Sequence, residues 1–383
     1  KAEASHSPAS FCPCLPHKYH MGKRAAGFDD VTGPGFVLYG DPQSDHGRAE
    51  KPIHVEDCVL PGAAYEVRES PCGGRGVFAT QEIRAGDFIM LELPVISVVL
   101  EEIAHSKLED IVKQKHIVQP EFDKLSASDQ AKVMALTDFS SNFDATILDK
   151  TPTGIFLTNA IPGRDGASAL CCQIALFNHS CSPNAYYRPC VDPPLYCDND
   201  MHCVRATRNI EAGEEICVHY FAFDPEAAGI LSAPALKSCE KRKALLLRNF
   251  GAACACSVCS GDAEAVDASD KRRVAILNVV RKLNNGGFNP SQVMGIEVIA
   301  HTGLTMAMQE GVGFHPLLRE FAEFGLTVCR QKPKHPRRPF WFKVIYEQNR
   351  FAYGEHRPAT LGMKRHAIAA AADAFSDTKK GLK

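Results

Sequence analysis

Cys254, Cys256 and Cys259 form a Cys-x-Cys-x-x-Cys hook, and roughly seventy residues upstream stands Asn178-His179-Ser180-Cys181-Ser182-Pro183-Asn184. A closed structural zinc site takes four ligands, and all four can be thiolates. The hook supplies three, so it cannot complete a tetrahedron alone, and Cys181 is the candidate for the remaining corner. This pairing constrains the fold more than any other feature of the chain. It requires a distant segment to return and lie against the Asn-His stretch, which fixes where a pocket is assembled.

At 383 residues the chain is long enough for two or three domains, each with its own core. A formal net charge of -2 argues against wholesale binding of polyanions, so direct nucleic-acid binding is not expected. No run reaches the roughly eighteen apolar residues of a membrane span; the stretch from Leu91 to Leu100 is too short and carries Glu92 and Pro94. The 16 cysteines are dispersed, and Cys171, Cys172, Cys217 and Cys329 lie in apolar stretches, which predicts buried free thiols plus four metal ligands. A short, cysteine-dense disulfide scaffold would look different. The sequence begins at Lys1 rather than Met, so a removed secretory signal stays open and the setting is nuclear, cytoplasmic or secreted.

Residues 1–60, rich in Pro, Gly, His and Asp, read as a loosely ordered arm. From 61 to 225 short apolar runs alternate with turns: Arg75–Ala79, then Asp87–Leu91 after Ala85-Gly86, then His202–Ala206 and Glu215–Tyr220 around Ala212-Gly213. A helical insert is expected at about 101–150, with Ser128 or Asp129 capping a helix through Leu136. The segment 226–262 carries the hook, and 263–383 reads as helical, with Val274, Leu277, Val280 and Leu283 on one face. Lys241, Arg242 and Lys243 read as a solvated helix face. The basic stretch Arg330–Lys343 reads as an exposed loop entering a helix, with Phe340, Trp341 and Phe342 in the core, in preference to a docking face for an acidic protein or nucleic acid.

Taken together, these segments resemble the SET-domain protein-lysine methyltransferases, in particular the split-SET, SMYD-like branch. Gly74-Arg75-Gly76-Val77-Phe78-Ala79 resembles the family's opening Gly-x-Gly strand, and Asn178–Asn184 its central signature. Ile210–Tyr220 is similar to the segment that ends in the catalytic tyrosine, and the hook to the post-SET zinc motif. The stretch from 101 to Asn159 contains no cysteine, so the MYND zinc module of some relatives is not expected. The resemblance implies an α+β, β-clip fold of small sheets. It further implies S-adenosylmethionine as methyl donor, a lysine on a histone or other protein as acceptor, and structural zinc on Cys181, Cys254, Cys256 and Cys259.

For the site the resemblance implies Tyr220 as catalytic, with Gly74, Arg75, Gly76, Asn159, Asn178, His179, Tyr220 and Phe250 around the donor. Gly74 and Gly76 allow close backbone approach, and Asn178 offers both donors and an acceptor. Arg75 is equally consistent with a solvent-facing side chain, His179 with a core histidine, and Asn159 with a turn residue. Phe223 fits a lysine channel or the core. One departure stands out. The family's aromatic-Gly-aromatic-x-Cys becomes Phe250-Gly251-Ala252-Ala253-Cys254, so an aromatic face is missing at Ala252. That loss is on the order of 1 kcal/mol, and it keeps a catalytically weak scaffold, acting as an interaction module, as the alternative. Cys12, Cys14, His17 and His20 cluster loosely, with a spacing unlike known zinc motifs.

Overall fold

The computed structural model describes residues 64–101, 107–140, 149–189, 201–221, 234–284, 293–312, 315–331, 335–353 and 358–380. The N-terminal arm with its Cys/His cluster, and Phe223, lie outside the described residues. In chain order the first elements are β1 (Tyr65–Glu69), β2 (Arg75–Ala79), β3 (Phe88–Glu92), β4 (Ile96–Val98), α1 (Lys107–Asp123), α2 (Ala127–Met134) and α3 (Pro152–Asn159). There follow β5 (Ile161–Pro162), β6 (Ser168–Leu170), β7 (Asn178–His179), β8 (Ala185–Pro189), β9 (His202–Ala206) and β10 (Glu215–Val218). The remainder is helical: α4 (Cys239–Phe250), α5 (Ser257–Ser260), α6 (Ala263–Asn284), α7 (Val293–Gln309), α8 (His315–Gln331), α9 (Arg338–Tyr353) and α10 (Pro358–Lys380).

The described residues divide into two compact units, one within Leu93–Ala175, the other made of 64–92 and the described residues from Leu176 on. In the first, β4, β6 and β5 form an antiparallel sheet and α1 packs on α3 and β4. The buried Gln114 amide exchanges hydrogen bonds of 3.1 Å with both main-chain groups of Glu101, which satisfies it where water is excluded. Helix α2 is capped by Ser126, whose hydroxyl accepts from the Asp129 N–H, two residues before the expected cap. Helix α3 falls where strands were expected. Thr151 caps it by accepting from the Gly154 N–H, and Pro152 sits at its first position, a start signal legible in the sequence.

In the second unit β1-β2-β10-β7 form one sheet and β3-β9-β8 another. β2 pairs antiparallel with both β1 and β10, whereas β7 and β10 run parallel. Helices α6 to α10 enclose an extensive apolar core, around Ile276, Val280, Leu304, Phe321, Trp341 and Ile345. The face α6 buries runs through Ile276, Val280 and Leu283, a cleaner i, i+4, i+7 stripe than the expected one, and Val274 is 48% exposed. Trp341 and Phe342 enter the core as expected, but Phe340 does not, since the helix turns it to the exposed face; the Trp341 ring lies on Gly325, where a Cβ would come within 2.2 Å of it. Arg350 of α9 donates to the Ala85 carbonyl at 2.9 Å, tying this bundle to the turn before β3.

Candidate active site and thiol cluster

A parallel pair of short strands needs a long crossover between them. Here it sets Cys217 opposite Asn178 and Val218 opposite His179. Asn184 fastens the arrangement. Its amide donates to Glu214 Oε1 (2.9 Å) and to the Glu215 carbonyl (2.8 Å), and its Oδ1 accepts from the Cys217 N–H (2.7 Å). Asn184 is buried, and its side chain is fully used as a structural clamp. Asn178, half-buried, faces the glycine-rich strand instead, donating to the Arg75 carbonyl (3.0 Å) and to Glu215 Oε1 (2.8 Å). A Cβ on Gly76 would lie 2.2 Å from Glu215 Oε1, so no other residue fits there without moving that carboxylate.

Tyr220 stands two residues beyond the end of β10. Its ring stands edge-on to Phe250 at 5.0 Å and lies 5.4 Å from the His179 ring, and the Tyr187 hydroxyl donates to its carbonyl at 3.3 Å. Burial, reinforced by the charges of Cys217 and Glu215, raises the Tyr220 pKa, so the phenol keeps its proton at neutral pH. The Tyr220 N–H donates to His179 Nδ1 at 3.1 Å. A main-chain N–H can only donate, so Nδ1 is the acceptor and a neutral ring carries its proton on Nε2. That nitrogen lies 3.3 Å from Cys181 Sγ. Burial first, then the neighbouring His219, lowers the His179 pKa well below its usual value. Burial also brings His219 to about 4. His179 therefore links the main chain of the tyrosine to a cysteine of the thiol cluster.

That cluster is Cys181, Cys254, Cys256 and Cys259, all buried, with their Sγ atoms within 4.8 Å of one another. Cys181 Sγ lies 3.8 Å from Cys254 Sγ and 3.6 Å from Cys259 Sγ. These are far from disulfide lengths of about 2.05 Å, and the described cysteines are free thiols. A tetrahedron with Zn–S bonds near 2.3 Å has edges of about 3.8 Å, which the two Cys181 edges match, so the four thiols fit a zinc ion in number, kind and spacing. Hydrogen bonding by Cys181 and Cys254 lowers the Cys256 thiol below its ordinary value, the direction that favours metal ligation.

The surroundings suit an anionic metal complex, since a dication on four thiolates carries a net negative charge. Arg242, only 2% exposed, donates to Cys259 Sγ at 3.5 Å, and the Cys181 N–H donates to Cys256 Sγ at 3.5 Å. The fully buried Arg273 of α6 donates to the Cys181 carbonyl at 3.1 Å. Arg242 thus corrects the expected solvated face: Lys241 is exposed, but Arg242 turns inward to the sulfurs and Asp270.

Of the expected site residues, the fold brings Gly76, Asn178, His179, Tyr220 and Phe250 into one contact chain ending at the four cysteines. Gly74 sits in the adjoining turn with φ +67°. Arg75 contributes its carbonyl to Asn178 while its side chain is exposed. Phe250 packs on Tyr220 and Phe221, and Ala252 is exposed. Asn159 belongs to the other unit, where its amide donates at 2.7 Å to the carbonyls of Thr137 and Ile155. Glu215 entered the sequence reading only as a letter of a pattern, and its contacts with Asn178 and Gly76 were not legible there.

Residues 74–221 match the family model described as SET domain, so the chain contains a SET domain, with the α+β fold of small sheets and helices. Among curated proteins it is 31% identical over 212 residues to Histone-lysine N-methyltransferase set5 of Schizosaccharomyces pombe, covering 55% of this chain and 54% of that protein. It is 25% identical over 283 residues to a protein named Methyltransferase from Gibberella zeae, covering 62% of this chain and 36% of that one. The chain thus spans about half, or less, of the length of these relatives. Among solved structures, the SET domain of LSMT bound to lysine and AdoHcy overlaps 85% of this chain and 89% of that one. Its identity is 12% and its TM-score 0.28. Among the described residues no helix is long and apolar enough to cross a membrane.

Proposed function

We propose that this chain transfers a methyl group from S-adenosylmethionine to the side-chain nitrogen of a lysine on a protein substrate, nuclear or cytoplasmic. The single observation that carries the reading is the parallel β7–β10 pairing inside the SET-matched segment, which sets Asn178 beside Gly76 and holds Tyr220 through His179. The name borne by the Schizosaccharomyces pombe relative makes histone tails the first substrates to test.

In this reading Gly74, Arg75, Gly76, Asn178, His179 and Phe250 hold the donor, while Asn159 keeps its amide on the carbonyls of Thr137 and Ile155. The bound donor supplies an electrophilic methyl on a sulfonium, so the lysine nitrogen gains an N–C bond as the S–C bond breaks, and the amine's proton leaves to solvent. Tyr220, kept protonated by its surroundings, acts as an orienting hydroxyl rather than as a phenolate base. A free lysine has a pKa near about 10.4, and the apolar rings of Tyr220, Phe221 and Phe250 favour its uncharged form by desolvation. Alignment of two reactants can supply roughly 7–11 kcal/mol in favourable cases. Cys181, Cys254, Cys256 and Cys259 hold zinc as a closed structural site with no position open for water.

The exposed Ala252, where an aromatic cover is expected, favours a second reading: a SET scaffold with weak or no turnover that binds proteins. Calorimetric titration with S-adenosylmethionine, followed by incubation with labelled donor and a whole lysate, separates the two. The enzyme reading expects binding and label on protein lysines, with label falling at least tenfold in Tyr220→Phe. Absence of donor binding would defeat it. Binding without lysine labelling would favour the scaffold.

A further inference from the structure

We infer that Glu215 is the anionic seat for the α-ammonium group of the methyl donor, an inference that rests on the donor reading above and names the group that recognises its charge. Both amide hydrogens of Asn178 are engaged, one by the Arg75 carbonyl (3.0 Å) and one by Glu215 Oε1 (2.8 Å). Both partners accept only, so the orientation of the amide is fixed and Oδ1 is the atom left for a ligand. Asn178 therefore presents an acceptor, and the part of a ligand that meets it must donate.

Glu215 stands beside that acceptor with the same demand. Its half-buried carboxylate receives two neutral donors, Asn178 at Oε1 and the Ser70 hydroxyl at Oε2 (3.0 Å). Among the described residues no lysine, arginine or histidine forms an ion pair with it. The preceding residue shows the contrast: Glu214 is paired with Arg208 and hydrogen-bonded to Asn184. The uncompensated charge of Glu215 is felt around it, since burial and then that charge raise the thiols of Cys72 and Cys217.

A carboxylate has about four acceptor positions, so two remain beyond those taken by Ser70 and Asn178. Together with Asn178 Oδ1 they suit a group with three N–H donors and a positive charge. A ligand carboxylate there would meet two like-signed acceptors. The absence of a side chain at Gly76 leaves the space that Glu215 Oε1 occupies, so this glycine shapes the seat as well as the backbone approach.

The test measures affinity by calorimetry for S-adenosylhomocysteine and for its desamino analogue, on the parent chain and on Glu215→Gln, with zinc content checked in both. The parent should bind S-adenosylhomocysteine roughly tenfold more tightly than the desamino compound, the size expected for a charge-assisted hydrogen bond. In Glu215→Gln the preference should fall to within about twofold, and Glu215→Asp should keep most of it. A preference that survives in Glu215→Gln overturns the inference while leaving the donor reading intact. Equal binding of both compounds by the parent overturns it even if the glutamine variant fails to fold. Failure of the parent to bind either compound overturns the donor reading and the inference with it.

Discussion

The thiol cluster and the helical bundle of α6–α10 hold their segments together by different means. The bundle buries a continuous apolar core through Ile276, Phe321, Trp341 and Ile345, and its stability is distributed over many contacts. Around the thiols the apolar company is thin, chiefly Phe221, Leu246 and Cys239, while two arginines lie close to sulfur or ligand backbone. One region is held by area removed from water, the other by a charge complex whose ligation couples to folding. The bundle should therefore persist without metal, and the hook should not.

The largest expected effect comes from Cys259→Ser. Zinc, measured by elemental analysis, should fall from stoichiometric to near absent, because structural zinc is worth roughly 10–16 kcal/mol in small domains. Hydrogen exchange should accelerate across Cys254–Ser260 while the helical circular-dichroism signal largely survives. Collapse of the bundle along with the hook would break the distinction.

Next comes Trp341→Ala, which opens a cavity at a fully buried ring and strips a partner from Glu297, whose carboxylate now accepts from Trp341 Nε1 at 3.1 Å. A loss of about 3–5 kcal/mol is expected in urea unfolding, with zinc content unchanged. Zinc loss in this variant would show that the two regions are one.

The smallest effect probes the seam. Gly311 has φ +62°, and a Cβ there would lie 1.8 Å from Ser182 Oγ, next to Cys181. Gly311→Ala should cost about 1–2 kcal/mol through backbone strain and crowding, and should speed zinc release to a chelator a few-fold. An unchanged release rate would show the bundle corner to be a passive neighbour.

The same division decides what could be read from the chain itself. Zinc ligands are short-range in pattern and chemically distinctive, so Cys181 and the hook could be paired across the sequence, and the sulfurs do converge. Strands β2 and β9 were legible because turn residues bracket their apolar runs. Helix α3 was not, since its eight residues are too few to establish a period, and Thr151 and Pro152 mark only its start. Arg242 reads as a surface charge in any local window, and only the packing of α4 against the cluster turns it inward. Glu215 depends on a parallel register with a strand 37 residues away, which no local signal reports.

The separation of Cys181 from its partners also has a consequence in time. The first cysteine of the hook lies 73 positions later, and at about 5–20 residues per second the ribosome needs several seconds to reach it. During that interval the nascent chain carries a lone thiol awaiting coordination, and an oxidant or a metal-starved cytosol meets Cys181 before the cage can close over it.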